Sequence, residues 1–185
     1  MTAPSVLPEG WMGKRSRKWL RRAARRRKRI IEIGSWLGRS TKVLADSTKG
    51  RVWAVDHWLG TPNDAEQHQL YAADVARGSV FDQFCANLAP ELGSGKVVAL
   101  RMPSADAAKV LVSQYGSVFD MVFIDGDHSY EGCAADIRNY LPLLKRGGLL
   151  CGHDYHWPGV KRAVDEAIGE ELVTLGPKSL WSVTV

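Results

Sequence analysis

From residue 29 onward, short apolar runs alternate with longer stretches of helical character, and that alternation leaves few folds open besides a mostly parallel sheet with crossover helices. The strand-like runs are 29–33, 52–55, 96–100, 120–124 and 149–151, and the fourth is apolar to its end, as a central parallel strand is. Helical pieces fall at 40–46, 105–114, 130–144 and 158–168, the third closed by Gly147-Gly148 and the last opened by Pro158. Residues 172–175 and 180–185, joined by Gly176-Pro177, read as two closing strands with an antiparallel end. A long insertion, 57–95, separates the second strand from the third, with helices expected at 64–76 and 80–88.

Ahead of this pattern lie two different pieces. Residues 1–13 carry Pro4, Pro8, Gly10 and Gly13 with little periodicity and read as a loose leader. The stretch 14–29 is packed with Lys and Arg; Trp19, Leu20, Ala23 and Ala24 recur in it at helical spacing, so 16–28 is expected to form a helix with one modest apolar stripe. The net charge of +5 is a property of this block, because the rest of the chain is net acidic. Such a block can grip nucleic acid, an anionic membrane surface or an acidic polymer, and it can equally be a solvated helix face. The expected division is a basic arm or helix at 1–28 and one domain at 29–185, a length that buries a continuous core without disulfides. No apolar run approaches the roughly 18 residues of a membrane span. The N-terminus lacks a signal-peptide h-region, and Cys85, Cys133 and Cys151 are odd in number at no metal-binding spacing, so a cytoplasmic setting is expected.

Two constellations carry chemistry. The first is Glu32-Ile33-Gly34-Ser35-Trp36-Leu37-Gly38-Arg39-Ser40 at the end of the first strand. Its glycines permit a tight turn and close approach of a ligand, and the next helix offers free N–H groups. The Gly-x-x-x-Gly spacing differs from the Gly-x-Gly-x-x-Gly of dinucleotide binders. Glu32 could accept hydrogen bonds from an amino group, and Asp56, 22 positions after Gly34, could take the hydroxyls of a ribose or serve as a turn residue. Ser104 and Asp106 follow the third strand and are further candidates for the same site.

The second constellation is an apolar strand that ends abruptly in Asp125-Gly126-Asp127-His128, echoed one strand later by Cys151-Gly152-His153-Asp154-Tyr155. Both deliver carboxylates and imidazoles to the C-terminal edge of the sheet, where open α/β folds bind ligands. If the two strands are neighbours about 4.8 Å apart, Asp125 and Asp154 face one another. Facing carboxylates repel unless a positive group lies between them, and a hard divalent cation such as Mg²⁺ meets that need. Alternatively, Asp125 caps a turn and Asp154 caps the helix beginning near Pro158.

On these residues the chain from about 29 to 167 resembles the Methyltransf_24-type class I methyltransferases, relatives of catechol O-methyltransferase and the macrolide-sugar O-methyltransferases. The resemblance implies a Rossmann-like α/β fold with a mostly parallel seven-stranded sheet and an antiparallel C-terminal strand. It implies S-adenosylmethionine (SAM) as cofactor, with Glu32, Gly34, Ser35, Gly38, Ser40, Asp56, His57, Ser104 and Asp125 around it. It further implies a Mg²⁺ or Mn²⁺ ion on Asp125, His153 and Asp154, with His128 as general base and Asp125 as its catalytic partner. His153 departs from the pattern, which has an acidic residue there, and a His ligand shifts preference toward Mn²⁺, Fe²⁺ or Zn²⁺. The acceptor implied is the hydroxyl of a small molecule or sugar. Its selection would fall to the insertion, with Trp58 and Tyr71, and to the loop carrying His156 and Trp157.

Other classes stay in view. A nicotinamide-dependent oxidoreductase fits the glycine spacing poorly. A nucleic-acid-binding module, or an RNA 2′-O-methyltransferase, would use the basic block for phosphate contacts; no Asn/Asp-Pro-Pro-Tyr stretch for base N-methylation is present. Many relatives cover the site with a longer helical N-terminal region, a role that homo-oligomerisation could take here.

Overall fold

A computed structural model describes residues 7–60 and 78–185. In chain order the elements are α1 (Lys14–Ala24), β1 (Arg29–Ile33), α2 (Arg39–Ser47), β2 (Arg51–Asp56), α3 (Val80–Asn87), α4 (Ala89–Gly93), β3 (Val97–Arg101), α5 (Ser104–Tyr115), β4 (Phe119–Ile124), α6 (Tyr130–Tyr140), β5 (Leu144–Gly152), α7 (Pro158–Ile168), β6 (Thr174–Leu175) and β7 (Trp181–Thr184). The strands form one seven-stranded sheet in the order β3-β2-β1-β4-β5-β7-β6. β1 to β5 pair in parallel, and β7 runs antiparallel to both β5 and β6. This is the Rossmann-like arrangement expected from the alternation. The chain steps outward from β1 through β2 to β3 and then restarts at β4 on the other side, so a crevice opens above the β1 and β4 C-terminal ends.

Period-two alternation within the buried strands builds the two sides of the core. Ile31, Ile33, Val122, Ile124 and Leu150 meet Leu111 of α5, Ile137 of α6 and Val164 of α7. From the other face Ile30, Val52, Ala54, Met121 and Phe123 meet Leu20 of α1, Leu44 of α2 and Phe84 of α3. The basic segment is therefore anchored: Ser16, Leu20 and Ala24, four residues apart, are buried, while its cations point outward.

Boundaries differ from the sequence reading in places with local causes. α1 begins at Lys14 and stops at Ala24 instead of spanning 16–28. Arg25 to Lys28 turn the chain into β1, held by the Thr48 hydroxyl on the Arg27 carbonyl and by Arg51 N on the Lys28 carbonyl at 2.7 Å. α6 ends at Tyr140, four residues early, because Pro142 sits in the following 3₁₀ turn, Leu141–Leu143. β5 starts at Leu144, ahead of the expected 149, through an irregular stretch where its pairing with Phe119 and Met121 shifts register. Ser79 caps α3, its hydroxyl accepting from Asp82 N at 3.4 Å. The expected helix at 64–76 and Tyr71 lie outside the described residues. The leader expected to be loose packs on the body over residues 7–13: Met12 is buried, the Trp11 ring stacks on Trp36 with centroids 3.9 Å apart, and Arg39 donates to the Gly10 carbonyl. No helix among the described residues is long and apolar enough to cross a membrane.

Candidate functional site

A cavity of about 430 Å³ lies over the crevice. Its existence depends on Gly34, whose φ of +84° and close approach to the next strand exclude a side chain: an added Cβ would sit 2.1 Å from the Asp125 carbonyl oxygen. Two main-chain hydrogen bonds hold this junction, Gly34 N to Val55 O at 2.9 Å and Asp125 N to Ile33 O at 2.8 Å.

Asp56, at the end of β2, shapes the glycine loop. Its Oδ2 accepts from Ser35 N at 3.0 Å and Trp36 N at 2.9 Å, and its Oδ1 accepts from Trp58 N at 2.6 Å. Both tryptophans have positive φ, 43° and 54°, and the carboxylate fixes these unusual backbones while still facing the cavity. Trp58 donates from its indole to the Trp36 carbonyl at 2.7 Å and packs on Phe81 and Phe84, so it belongs to core and wall alike. Of the other residues expected near a cofactor, Gly34, Ser35, Ser40, His57, Ser104 and Asp125 also line the cavity, while Gly38, Glu32 and Asp106 do not. Gly38 instead takes a φ of +89° before α2, close against Leu88 and Phe84.

Glu32 stands behind the wall, fully buried, with Oε2 accepting from the Ser35 hydroxyl at 2.9 Å and from the Thr41 hydroxyl. Burial pushes its carboxyl up to about 7, against the opposing pull of the neighbouring Ser40, Thr41 and Ser35 hydroxyls. A carboxyl raised on folding stabilises the fold below its unfolded value near 4.5, and that contribution is lost as pH rises through about 7. Denaturant melts at several pH values are expected to show this in the difference between wild type and Glu32→Gln: up to about 3 kcal/mol less stability in the wild type relative to the variant at pH 8 than at pH 4. A pH-independent difference would remove Glu32 as the titrating group.

The two acidic loops converge in the same cavity. Asp125 after β4, His128 before α6, and His153 and Asp154 after β5 all line it. His128 Nε2 lies 3.1 Å and His153 Nδ1 3.0 Å from Asp154 Oδ2, and His153 Nδ1 lies 3.9 Å from Asp125 Oδ1. Asp125, His128 and Asp154 each offer a ligand atom within 4.8 Å of the others, a set that does not include His153. Burial raises Asp125 to about 6, with Asp154 adding to the rise and the two imidazoles opposing it. Burial also works against ionised Asp154, but His128 and His153 outweigh it and hold that carboxyl well below the usual range. Burial alone would lower His153; Asp154 and Asp125 reverse this and raise it. Asp154 has a φ of +56°, a strained backbone for a residue with a side chain.

Asp154 is not the helix cap that the sequence left open. The residue before α7 is Trp157, which offers no side-chain cap. Ser129 caps α6, accepting from Gly132 N at 3.0 Å, and Asp127 accepts from Ser129 N at 2.8 Å. Trp157 is seated against the His128 ring, centroids 4.9 Å apart, whereas His156 is largely exposed. Gly159 makes that placement possible, since a Cβ there would lie 2.6 Å from the His128 carbonyl oxygen.

Two parts of the cavity wall escaped sequence reasoning. Gly10, Trp11, Met12 and Arg39 close one side, and no pattern in the leader announces them. Asp136 of α6 closes another, accepting from the Ser104 hydroxyl at 2.6 Å and raised by burial to about 6. Its signal was present: Cys133, Ile137 and Tyr140 mark the inward stripe of α6, and Asp136 stands on that stripe.

Comparison with known proteins agrees with the architecture. A family model described as a methyltransferase domain, Methyltransf_24, matches residues 31–155. An O-methyltransferase of Bacillus cereus, solved in complex with SAH, superposes with a TM-score of 0.67 at 20% identity, over 97% of this chain and 84% of that one. TomG of Streptomyces achromogenes, an O-methyltransferase of tomaymycin synthesis solved with SAM, gives 0.65 at 18% identity, over 95% and 82%. The TDP-rhamnose 3′-O-methyltransferase CalS11 of calicheamicin biosynthesis gives 0.64 at 16% identity, over 91% and 76%. No curated protein matches by sequence.

Proposed function

The chain belongs to the Methyltransf_24 family of methyltransferase domains, and from that premise we propose that it methylates a hydroxyl group of a small molecule or sugar, using SAM and a divalent cation, with residues 29–185 as the transferase unit. The observation that carries the reading is the convergence of two carboxylates and two imidazoles in the cavity that the glycine loop also lines. The residues fit such a cofactor: Gly34 and Ser35 after β1, the Asp56 carboxylate and the polar pair Ser104 and Asp136 all line the same cavity. SAM, when bound, supplies an electrophilic methyl group on a sulfonium. A divalent cation, when bound, lowers the pKa of a coordinated hydroxyl and relieves the repulsion between Asp125 and Asp154.

The chain's own residues do the rest. Gly34, Ser35 and Asp56 fix the cofactor's position, so that donor and acceptor meet in line. Asp125 and Asp154 would hold the cation together with His153, and His128, its ring braced by Trp157, would accept the hydroxyl proton. A second reading has an observation of its own: His128 is the imidazole that groups with Asp125 and Asp154 within 4.8 Å, which favours it as a ligand.

One calorimetric series tests these points. Titration with SAM and SAH is expected to give micromolar binding, and a heat for Mn²⁺ or Mg²⁺ that EDTA abolishes. His128→Ala is expected to keep the metal heat if the imidazole is the base, and to lose it if it is a ligand. Absence of SAM and SAH binding under every condition would sink the proposal.

A further inference from the structure

The exposed face of α1 and of the turn that follows it has no part in the cavity. Lys14, Lys18, Arg21, Arg22, Arg25 and Arg26 all point outward. At 100° per residue they cover the face opposite the buried Ser16, Leu20 and Ala24 without interruption by an acid. None of these six makes an ion pair with another described residue.

The arrangement breaks the rules of helix stability in three ways. Lys14 and Arg15 occupy the first turn, where the helix dipole favours acids, and no acidic residue is there. Gly13 precedes the helix without a side-chain cap. Like charges stand four apart at Lys14/Lys18, Lys18/Arg22, Arg21/Arg25 and Arg22/Arg26, each pair repulsive. Arg17, on the flank, feels the same crowding: burial lowers its pKa, and Arg39 and Arg21 lower it further. Eleven of the chain's twenty-five Lys and Arg fall within 14–29, and the six outward ones repel one another and pair with no acid among the described residues.

From this we propose that α1 is a docking helix for the phosphodiester backbone of a nucleic acid. Four of the six outward cations are arginines, whose planar fork matches phosphate oxygens. An amphipathic membrane helix would turn an apolar face to the lipid, whereas the apolar residues of α1 are committed inward: Leu20 and Ala24 have no exposure. Only Gly13 separates the helix from Gly10, Trp11 and Met12, which line the cavity, so the N-terminal end of α1 adjoins the cavity wall. The inference stands on α1 alone and does not require the methyl-transfer reading.

Fluorescence anisotropy on the full chain tests it, with a labelled 20-nucleotide uridine RNA and a DNA duplex of the same length as separate probes across 50–200 mM KCl. For RNA the logarithm of the binding constant is expected to fall with log[KCl] at a slope of about −3 to −4, as for four to six phosphate contacts. The combined variant Lys18→Ala/Arg21→Ala/Arg22→Ala/Arg25→Ala is expected to bind at least about a hundredfold more weakly, with a slope shallower by about 3. These side chains are exposed and alanine favours helix, so circular dichroism and SAH titration are expected to match the wild type. Tighter binding of one probe than the other identifies the preferred strand form. Absence of binding to both probes, equal binding by the variant, or binding only to phosphatidylserine vesicles would each overturn the proposal.

Discussion

Asp154→Asn is expected to weaken Mn²⁺ binding by more than about a hundredfold while changing SAH affinity by less than about threefold. The substitution keeps the side chain's shape, and asparagine tolerates the positive φ of 56° found there. What it removes is one unit of charge beside Asp125. At an effective dielectric near 20, a unit charge a few ångströms from a dication is worth several kcal/mol, and each 1.4 kcal/mol is about tenfold in affinity. The glycine loop and Asp56 are untouched, so the cofactor end of the cavity keeps its contacts. Electron paramagnetic resonance of free Mn²⁺ and calorimetry with SAH measure the two quantities separately. An affinity for Mn²⁺ within about threefold of the wild type would leave the paired carboxylates without the role proposed for them.

Gly34→Ala should act in the opposite way, through the fold. The added methyl group would lie 2.1 Å from Asp125 O, 2.5 Å from Asp125 C and 2.7 Å from Gly126 Cα, all main-chain atoms of the neighbouring loop. No flexible side chain can swing aside, and a φ of +84° is itself strained for alanine. The β1 and β4 loops must part, which disturbs both the cofactor and the carboxylate ends of the site. Stability is expected to fall by about 3 kcal/mol or more, the range of severe backbone strain and overpacking, with SAH binding lost. Gly93→Ala makes the control: a methyl group added there would meet nothing within 4 Å, and within a helix alanine is favoured by about 0.5–1 kcal/mol. Equal denaturation midpoints for the two variants would show that the junction is not tight.

The parallel sheet was legible because buried strands carry apolar runs, and 30–31, 52–55 and 121–124 have that property. The abrupt change from Phe123-Ile124 to Asp-Gly-Asp-His, repeated at His153-Asp154, was legible as a site because polar residues crowd where the core ends. Less visible were contacts that depend on which loops meet. Glu32 reads as a ligand-facing acid from its place at a strand end, yet the turn at Gly34 folds Ser35 back over it and α2 brings Thr41 to it. Asp136 reads as a polar helix residue until its position on the stripe of Cys133, Ile137 and Tyr140 is considered. Trp11 and Met12 carry no local periodicity, and their place in the wall comes from the stacking on Trp36 and the Arg39 hydrogen bond to Gly10. The early end of α1 depends on a tether from Thr48, more than twenty residues later in the chain.

Trp11, Trp36 and Trp58 all border the cavity, and Trp36 joins the other two, by ring stacking on one side and by an indole hydrogen bond on the other. The chain has seven tryptophans in all, so a large share of its ultraviolet absorption belongs to the walls of the site. Anything that enters the cavity changes the polarity and the ring contacts of those indoles together. The protein thus carries a native optical reporter of occupancy, needing no label and no knowledge of the methyl acceptor.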